Sequence, residues 1–225
     1  MNGPSTSTPS AIGLFGGTFD PVHYGHLRAA LESRDRLGLL DFRLLPAGTP
    51  ALRPPTGATA LQRLAMLRLA VSDYPEFSVD DREIRRGGRS YMVDTLREIR
   101  EESGDAPVML MIGQDAANAL DSWHQWKSLF GLAHLVIMHR PDSTAAWKGE
   151  LKEIMESRLV EGVDLLYQRP AGRVLSLAVT QLAISSTGIR EQLSSGRSPR
   201  FLLPDKVIDY IEENHLYFAA PAVKG

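Results

Sequence analysis

His23 and His26 are the side chains in this sequence best placed to do chemistry. They sit three residues apart in the run Gly16-Gly17-Thr18-Phe19-Asp20-Pro21-Val22-His23-Tyr24-Gly25-His26. A short apolar run, Ile12-Gly13-Leu14-Phe15, precedes it, and a helical pattern begins near Gly25. The segment therefore reads as strand, glycine turn and helix. On that reading both imidazoles share one face of the first helical turn. Free backbone N–H groups and the positive end of the helix dipole lie beside them. Glycines without Cβ let the backbone come close to a ligand. Such a site suits a polyphosphate held at the carboxyl end of a strand. A zinc site is the rival reading, but zinc asks for more His, Cys or carboxylate ligands. The chain has no cysteine, and its next histidine is His124.

Three further clusters carry candidate chemistry. In Ile184-Ser185-Ser186-Thr187-Gly188-Ile189-Arg190, hydroxyls open a helix and a guanidinium follows one turn on. That grouping suits a phosphate, although Ser185 or Ser186 could equally serve as a helix N-cap. In Ile112-Gly113-Gln114-Asp115, an acid follows a strand, a common place for a ribose-binding carboxylate. Asp115 could instead cap a helix beginning near Ala116. Trp123-His124-Gln125-Trp126 offers an indole face for a flat ring, or two tryptophans for the core.

These residues need a scaffold, and apolar strands alternating with amphipathic helices supply one. Strands are expected at Ile12–Phe15, Phe42–Leu45, Phe77–Val79, Val108–Ile112, Leu135–Met138 and Val174–Leu177. The first helix carries Leu27, Leu31 and Leu37 and stops near Gly38. A second carries Leu61, Leu64, Ala65 and Leu69 behind Thr59 as N-cap, and a third carries Met92, Leu96 and Ile99. A short helix should hold Trp123 and Trp126, and another Leu151–Met155. Two C-terminal helices follow, near Thr187–Leu193 and Asp205–Glu213. This order predicts an α/β fold with a mostly parallel sheet, helices on both faces and a small C-terminal helical portion. Ligands in such folds bind beyond the carboxyl ends of the strands. The Pro- and Gly-rich stretch from Ala47 to Gly57 reads as an irregular loop.

Composition narrows the function classes. The 225 residues suit one domain over 11–218, with a disordered leader over 1–10 and a tail over 219–225. A net charge of −2 gives no general nucleic-acid surface. Zero cysteines exclude disulfides and thiolate catalysis and suit the cytoplasm. No apolar run is long enough to span a bilayer. Neither a Walker A motif nor a G-x-G-x-x-G fingerprint occurs, so a P-loop kinase or a dehydrogenase is not indicated. A homo-oligomer is compatible with the sequence.

The histidine run resembles the HxGH signature of the nucleotidyltransferase superfamily, in the longer form found in nicotinate-mononucleotide adenylyltransferases. Ser185-Ser186-Thr187-Gly188-Ile189-Arg190 resembles that family's S-x-T-x-x-R motif, and Gly113-Gln114-Asp115 its G-x-D motif. Ser90-Tyr91-Met92-Val93-Asp94-Thr95-Leu96 is similar to its S-Y-T-x-x-T-L segment, and the resemblance runs from Ile12 to Tyr217. It implies a Rossmann-like nucleotidyltransferase fold and adenylyl transfer from ATP to nicotinate mononucleotide in NAD biosynthesis. It implies further that His23, His26 and Arg190 are catalytic. Gly16, Gly17, Thr18, Phe19, Gly25, Gly113, Asp115, Ser185, Ser186 and Thr187 would bind ATP, with Asp115 on its ribose. Arg53, Tyr91, Met92, Trp123 and His124 would bind the acceptor, with Trp123 stacking on its ring. Mg²⁺ would bridge phosphate oxygens without dedicated protein ligands, and Asp20 would brace the motif turn.

The chain departs from the family pattern on the acceptor side. Where the family has P-x-x-x-P-P-H-K or H-R, this chain reads Pro46-Ala47-Gly48-Thr49-Pro50-Ala51-Leu52-Arg53. A histidine is thus replaced by Leu52, and a frequent asparagine by Ala47 or Gly48. The threonine of S-Y-T is Met92. Two alternatives follow. One is an adenylyltransferase with another acceptor, such as nicotinamide mononucleotide or phosphopantetheine. The other is a nucleotide-binding homologue that has lost catalysis.

Overall fold

The structure, a computed structural model, describes residues 11–51, 56–139 and 145–219. The expected leader, the tail beyond Ala219, and Leu52 and Arg53 lie outside the described residues.

Strands β1 (Ile12–Gly17), β2 (Asp41–Pro46), β4 (Ser78–Val79), β6 (Val108–Gly113), β7 (His134–His139), β8 (Leu159–Val160) and β9 (Val174–Ala178) form one sheet in the order β4-β2-β1-β6-β7-β9-β8. Every pairing in it is parallel. The two-residue strands β3 (Thr49–Pro50) and β5 (Arg89–Ser90) pair separately, also in parallel. The strand run turns one way from β1 through β2 and the other way from β6 through β7. The two innermost strands, β1 and β6, therefore flank a topological switch point, where ligands of such sheets bind.

Strand residues alternate between the two faces, as a period of two requires. Phe15, Met109, Met111, Val136 and Met138 face one core, shared with helices α1 (Tyr24–Leu37), α2 (Ala60–Ala70), α8 (Ser186–Ser194) and α9 (Asp205–Glu213). Leu14, Leu110, Ile112, Leu135 and Ile137 face the other core, shared with α4 (Met92–Ser103), α5 (Gln114–Asn118), α6 (Leu129–Leu132) and α7 (Gly149–Glu156). A sheet covered on both faces is what continuous apolar strands call for.

Most expected elements are present. Thr59 caps α2 in a capping box, its hydroxyl accepting from the Gln62 N–H at 3.3 Å while Gln62 Oε1 accepts from the Thr59 N–H at 2.9 Å. Gly38 ends α1 in the left-handed conformation at φ 67°. Two expectations need correction. Helix α2 buries Arg63, Leu64, Met66, Leu67 and Ala70, whereas Leu61 is 69% exposed. The helix is apolar nearly all round, so periodicity could not choose its inner face. Trp123 and Trp126 do not share a helix. The chain passes from α5 through 3-10 turns at Leu120–Ser122 and Trp126–Ser128, with Gln125 left-handed between them at φ 50°. Helix α3 (Arg82–Arg86) and strands β3, β5 and β8 were not anticipated; each is five residues or fewer. Among the described residues, no helix is long and apolar enough to cross a membrane.

Candidate active site

β1 ends in Gly16–Gly17, and the turn that follows delivers two imidazoles to the start of α1. A Cβ on Gly17 would meet the Phe19 ring at 2.9 Å. That ring is 1% exposed and packs edge-on against Phe15 and against His26. His23 stands at the N-cap of α1 without using its side chain as a cap, and the first turn holds no acid. The positive end of the helix therefore stays open to an anion.

The His23 and His26 rings stack with centroids 3.7 Å apart and 28° between planes. The Nδ1 atoms of both are buried and lack a hydrogen-bond partner. Burial lowers the His23 pKa to about 4. His26 is also held well below the ordinary value, by burial and then by the charge of His23. Both rings are thus neutral at pH 7, each with one N–H to donate.

The start of α8 is tied to the same turn. Ser185 caps its helix, accepting from the Gly188 N–H at 3.1 Å. This is the capping alternative raised from the sequence. Ser186 Oγ donates to the Pro21 carbonyl at 2.9 Å. Arg190 Nη1 donates to the Asp20 carbonyl at 2.7 Å, and its Nη2 donates to Thr187 Oγ1 at 3.3 Å. Residues 165 or more positions apart in the chain thereby share one cluster.

Asp20 is the brace of this cluster. Its carboxylate accepts from the Gly57 N–H at 2.8 Å, the Ala58 N–H at 3.1 Å and the Tyr217 hydroxyl at 2.8 Å. Arg190 lies 3.6 Å from it. Asp20 is 5% exposed, with its oxygens committed to these donors.

Beside the cluster, a cavity of about 660 Å³ opens where β1 and β6 end. Gly16, Gly17 and Thr18 form one wall. Tyr91, Met92, Trp123 and His124 form another, and Gly113 and Asp115 also line it. The Tyr91 and His124 rings lie 4.4 Å apart. Trp123 is half-buried at the cavity wall, whereas Trp126 packs edge-on against Phe130. Asp115 is exposed and sits inside the first turn of α5, whose N-cap is Gly113, so the N-cap alternative for it does not hold. The structure thus brings Asp115 together with Tyr91, Met92, Trp123 and His124, while His23, His26 and Arg190 stand in the neighbouring cluster. Gly16–Thr18 is the seam between them.

Three residues hold this seam, and two of them, Arg63 and Glu83, carried no sequence signal. Arg63 is fully buried and donates to the Thr18 carbonyl at 2.6 Å and to the Gly48 carbonyl at 2.7 Å. Burial lowers its pKa, but arginine remains charged at any ordinary pH. Ser90 Oγ accepts from the Gly48 N–H at 2.8 Å. The carboxyl group of Glu83, raised by burial, accepts from Thr95 Oγ1 at 2.7 Å and lines the cavity. Gly48 is therefore gripped through both its N–H and its C=O. A Cβ there would meet the Glu83 carbonyl at 2.7 Å. Glycine at position 48 fits that grip.

Among the described residues, no group of three or more His, Asp or Glu is placed to hold a metal ion.

Comparison with known proteins agrees with this geometry. Residues 14–192 match the cytidylyltransferase-like family model. A protein of Methylococcus capsulatus named as a probable nicotinate-nucleotide adenylyltransferase is 51% identical over 207 residues, covering 92% of this chain and 99% of that one. One of the same name from Acidithiobacillus ferrooxidans is 46% identical over 213 residues, covering 94% and 98%. Among solved structures, a Plasmodium falciparum nicotinic acid mononucleotide adenylyltransferase complexed with NaAD superposes with a TM-score of 0.69 at 17% identity, covering 92% of this chain and 97% of that chain. At that identity the likeness speaks for the fold. With a histidine pair at the switch point of a parallel sheet and relatives that match nearly end to end, the chain belongs to the cytidylyltransferase-like family and, within it, to the nicotinate-nucleotide adenylyltransferases.

Proposed function

We propose that this protein transfers the adenylyl group of ATP to nicotinate mononucleotide, giving nicotinate adenine dinucleotide and pyrophosphate in NAD biosynthesis. The observation that carries the reading is the seam at Gly16–Thr18. On one side lie two unpartnered imidazoles and Arg190; on the other lies an aromatic-walled cavity sized for a nucleotide. Polyphosphate and pyridine nucleotide would meet there. The relatives' names support the same chemistry.

The reaction needs no general base. A phosphate oxygen of the acceptor, already anionic, attacks the α-phosphorus of ATP. The bond from that phosphorus to the bridging oxygen breaks, and pyrophosphate leaves with the electron pair. Catalysis rests on positioning and on stabilising charge. His23 and His26 donate N–H groups to the triphosphate from the open end of α1. Arg190, held by Asp20 and Thr187, faces the β- and γ-phosphates with the first turn of α8. Asp115 takes the ribose hydroxyls, and Trp123 stacks on the pyridine ring.

A divalent cation fits this site as a companion of the phosphates. Asp20, the acid nearest the histidines in sequence, has its oxygens occupied by the donors described above. Mg²⁺ carried on ATP would neutralise charge on the phosphate oxygens. The cysteine-free chain suits the cytoplasm. A single domain, 11–218, would carry the reaction.

The test is pyrophosphate release with Mg-ATP and either nicotinate or nicotinamide mononucleotide, with His23→Ala as control. Turnover with the nicotinate form, lost in the variant, is expected. No turnover with any pyridine mononucleotide would overturn the reading.

A further inference from the structure

We infer that Arg89 recognises an anionic group of the acceptor and sets its affinity. This rests on the proposed function. Four arginines occupy the short stretch from α3 to β5, and three are already paired. Arg82 binds Asp80 and Glu102, Arg85 binds Asp81, and Arg86 binds Glu98 and Thr95. Arg89 makes no ion pair or side-chain hydrogen bond among the described residues. It is exposed and lines the 660 Å³ cavity.

The backbone presents Arg89 rather than leaving it on a loose arm. Gly87 and Gly88 take φ values of 71° and 68°, which side-chain-bearing residues rarely adopt. Strand β5 then fixes Arg89 opposite Thr49 of β3, beside the Gly48 grip. Among the described residues, the ionisable carboxyl groups lining the cavity are those of Glu83 and Asp115. Neither acid offers a favourable partner to a pyridine mononucleotide with a carboxylate and a phosphate. An unpaired guanidinium supplies the opposite charge and a forked donor set. Met92, at the same wall, offers no hydroxyl for this task.

The shared chemistry is an oxyanion, from the ring carboxylate or from the 5′-phosphate. The full chain and its Arg89→Gln and Arg89→Lys variants are assayed at saturating Mg-ATP against both mononucleotides. Arg89→Gln should raise KM for nicotinate mononucleotide about tenfold or more. The kcat and the KM for ATP should stay within about twofold, and Arg89→Lys should recover part of the loss. A rise confined to the nicotinate form assigns Arg89 to the carboxylate. An equal rise with both assigns it to the phosphate. An unchanged KM for nicotinate mononucleotide, in a protein that turns it over, overturns the inference. Failure of the unaltered chain to use either acceptor would instead overturn the proposed function.

Discussion

The imidazoles of His23 and His26 lie face to face, 3.7 Å between centroids, with both Nδ1 atoms buried and unpartnered. Two stacked cations would repel, and burial penalises each charge. Burial therefore holds both rings neutral, with the His23 pKa at about 4. The unfolded chain returns His23 to its ordinary value near 6.5. Since the folded pKa is the lower one, this group's contribution is fully present above pH 6.5. It declines as pH falls towards 4. Denaturant titrations at pH 7 and pH 5 should show His23→Gln losing about 2 kcal/mol less than the unaltered chain. Equal losses would mean that His23 titrates normally.

Polyphosphate reverses that balance. Negative charge against the pair favours the imidazolium, so ATP binding near pH 6 should take up about one proton. Calorimetry of ATP binding in buffers of different ionisation enthalpy reads this number directly. No proton uptake would mean that the pair meets the phosphates only as neutral N–H donors.

Gly25 separates the two histidines for a steric reason. A Cβ there would meet His23 Nδ1 at 2.9 Å and the Ile184 carbonyl at 3.4 Å. An ordinary helical Gly→Ala change stabilises by about 1 kcal/mol. Gly25→Ala should show little of that gain, because the His23 ring must move. Displacing the ring proposed to position the phosphates should lower kcat/KM by about 100-fold. An active, more stable variant would show that the ring has room to shift.

Arg63 joins the two halves of the site through the carbonyls of Thr18 and Gly48. Arg63→Leu leaves both carbonyls without that donor and should cost about 2–4 kcal/mol. Its effect on activity should fall on the acceptor KM more than on the ATP KM, since Gly48 lies in the loop proposed to hold the acceptor. Thermal unfolding and steady-state kinetics check the two parts separately.

The sequence made the catalytic end of the sheet legible because its signals are local. The strand, turn and helix around His23 span about a dozen residues, and the apolar runs of β6 and β7 are continuous. Arg63 escaped notice because its helix is apolar on nearly every side, so the buried arginine looked like a surface one. Glu83 and Arg89 left no local trace because α3 and β5 are too short to show a period, and Ser90 was visible only within the Ser90–Leu96 segment. Their arrangement comes from pairing between segments about 40 residues apart, such as Gly48 with Ser90. The tie from Tyr217 to Asp20 spans 197 residues and has no local trace at all.

That last tie yields a prediction with a reversal of sign. Tyr217 is largely buried, and burial, with the Asp20 carboxylate second, pushes its pKa upward, so it stays a neutral donor. Tyr217→Phe removes one hydrogen bond to a charged acceptor and should cost about 1.5–3 kcal/mol. Asp20→Ala strips the acceptor from the Gly57 and Ala58 N–H groups and from the Tyr217 hydroxyl together, at about 3–5 kcal/mol. In that background the buried hydroxyl has lost its partner. Removing it by Tyr217→Phe should then be neutral or slightly stabilising. Equilibrium unfolding of the two single variants and the double variant closes the cycle. Additive costs would mean that Tyr217 holds the C-terminal segment by packing alone.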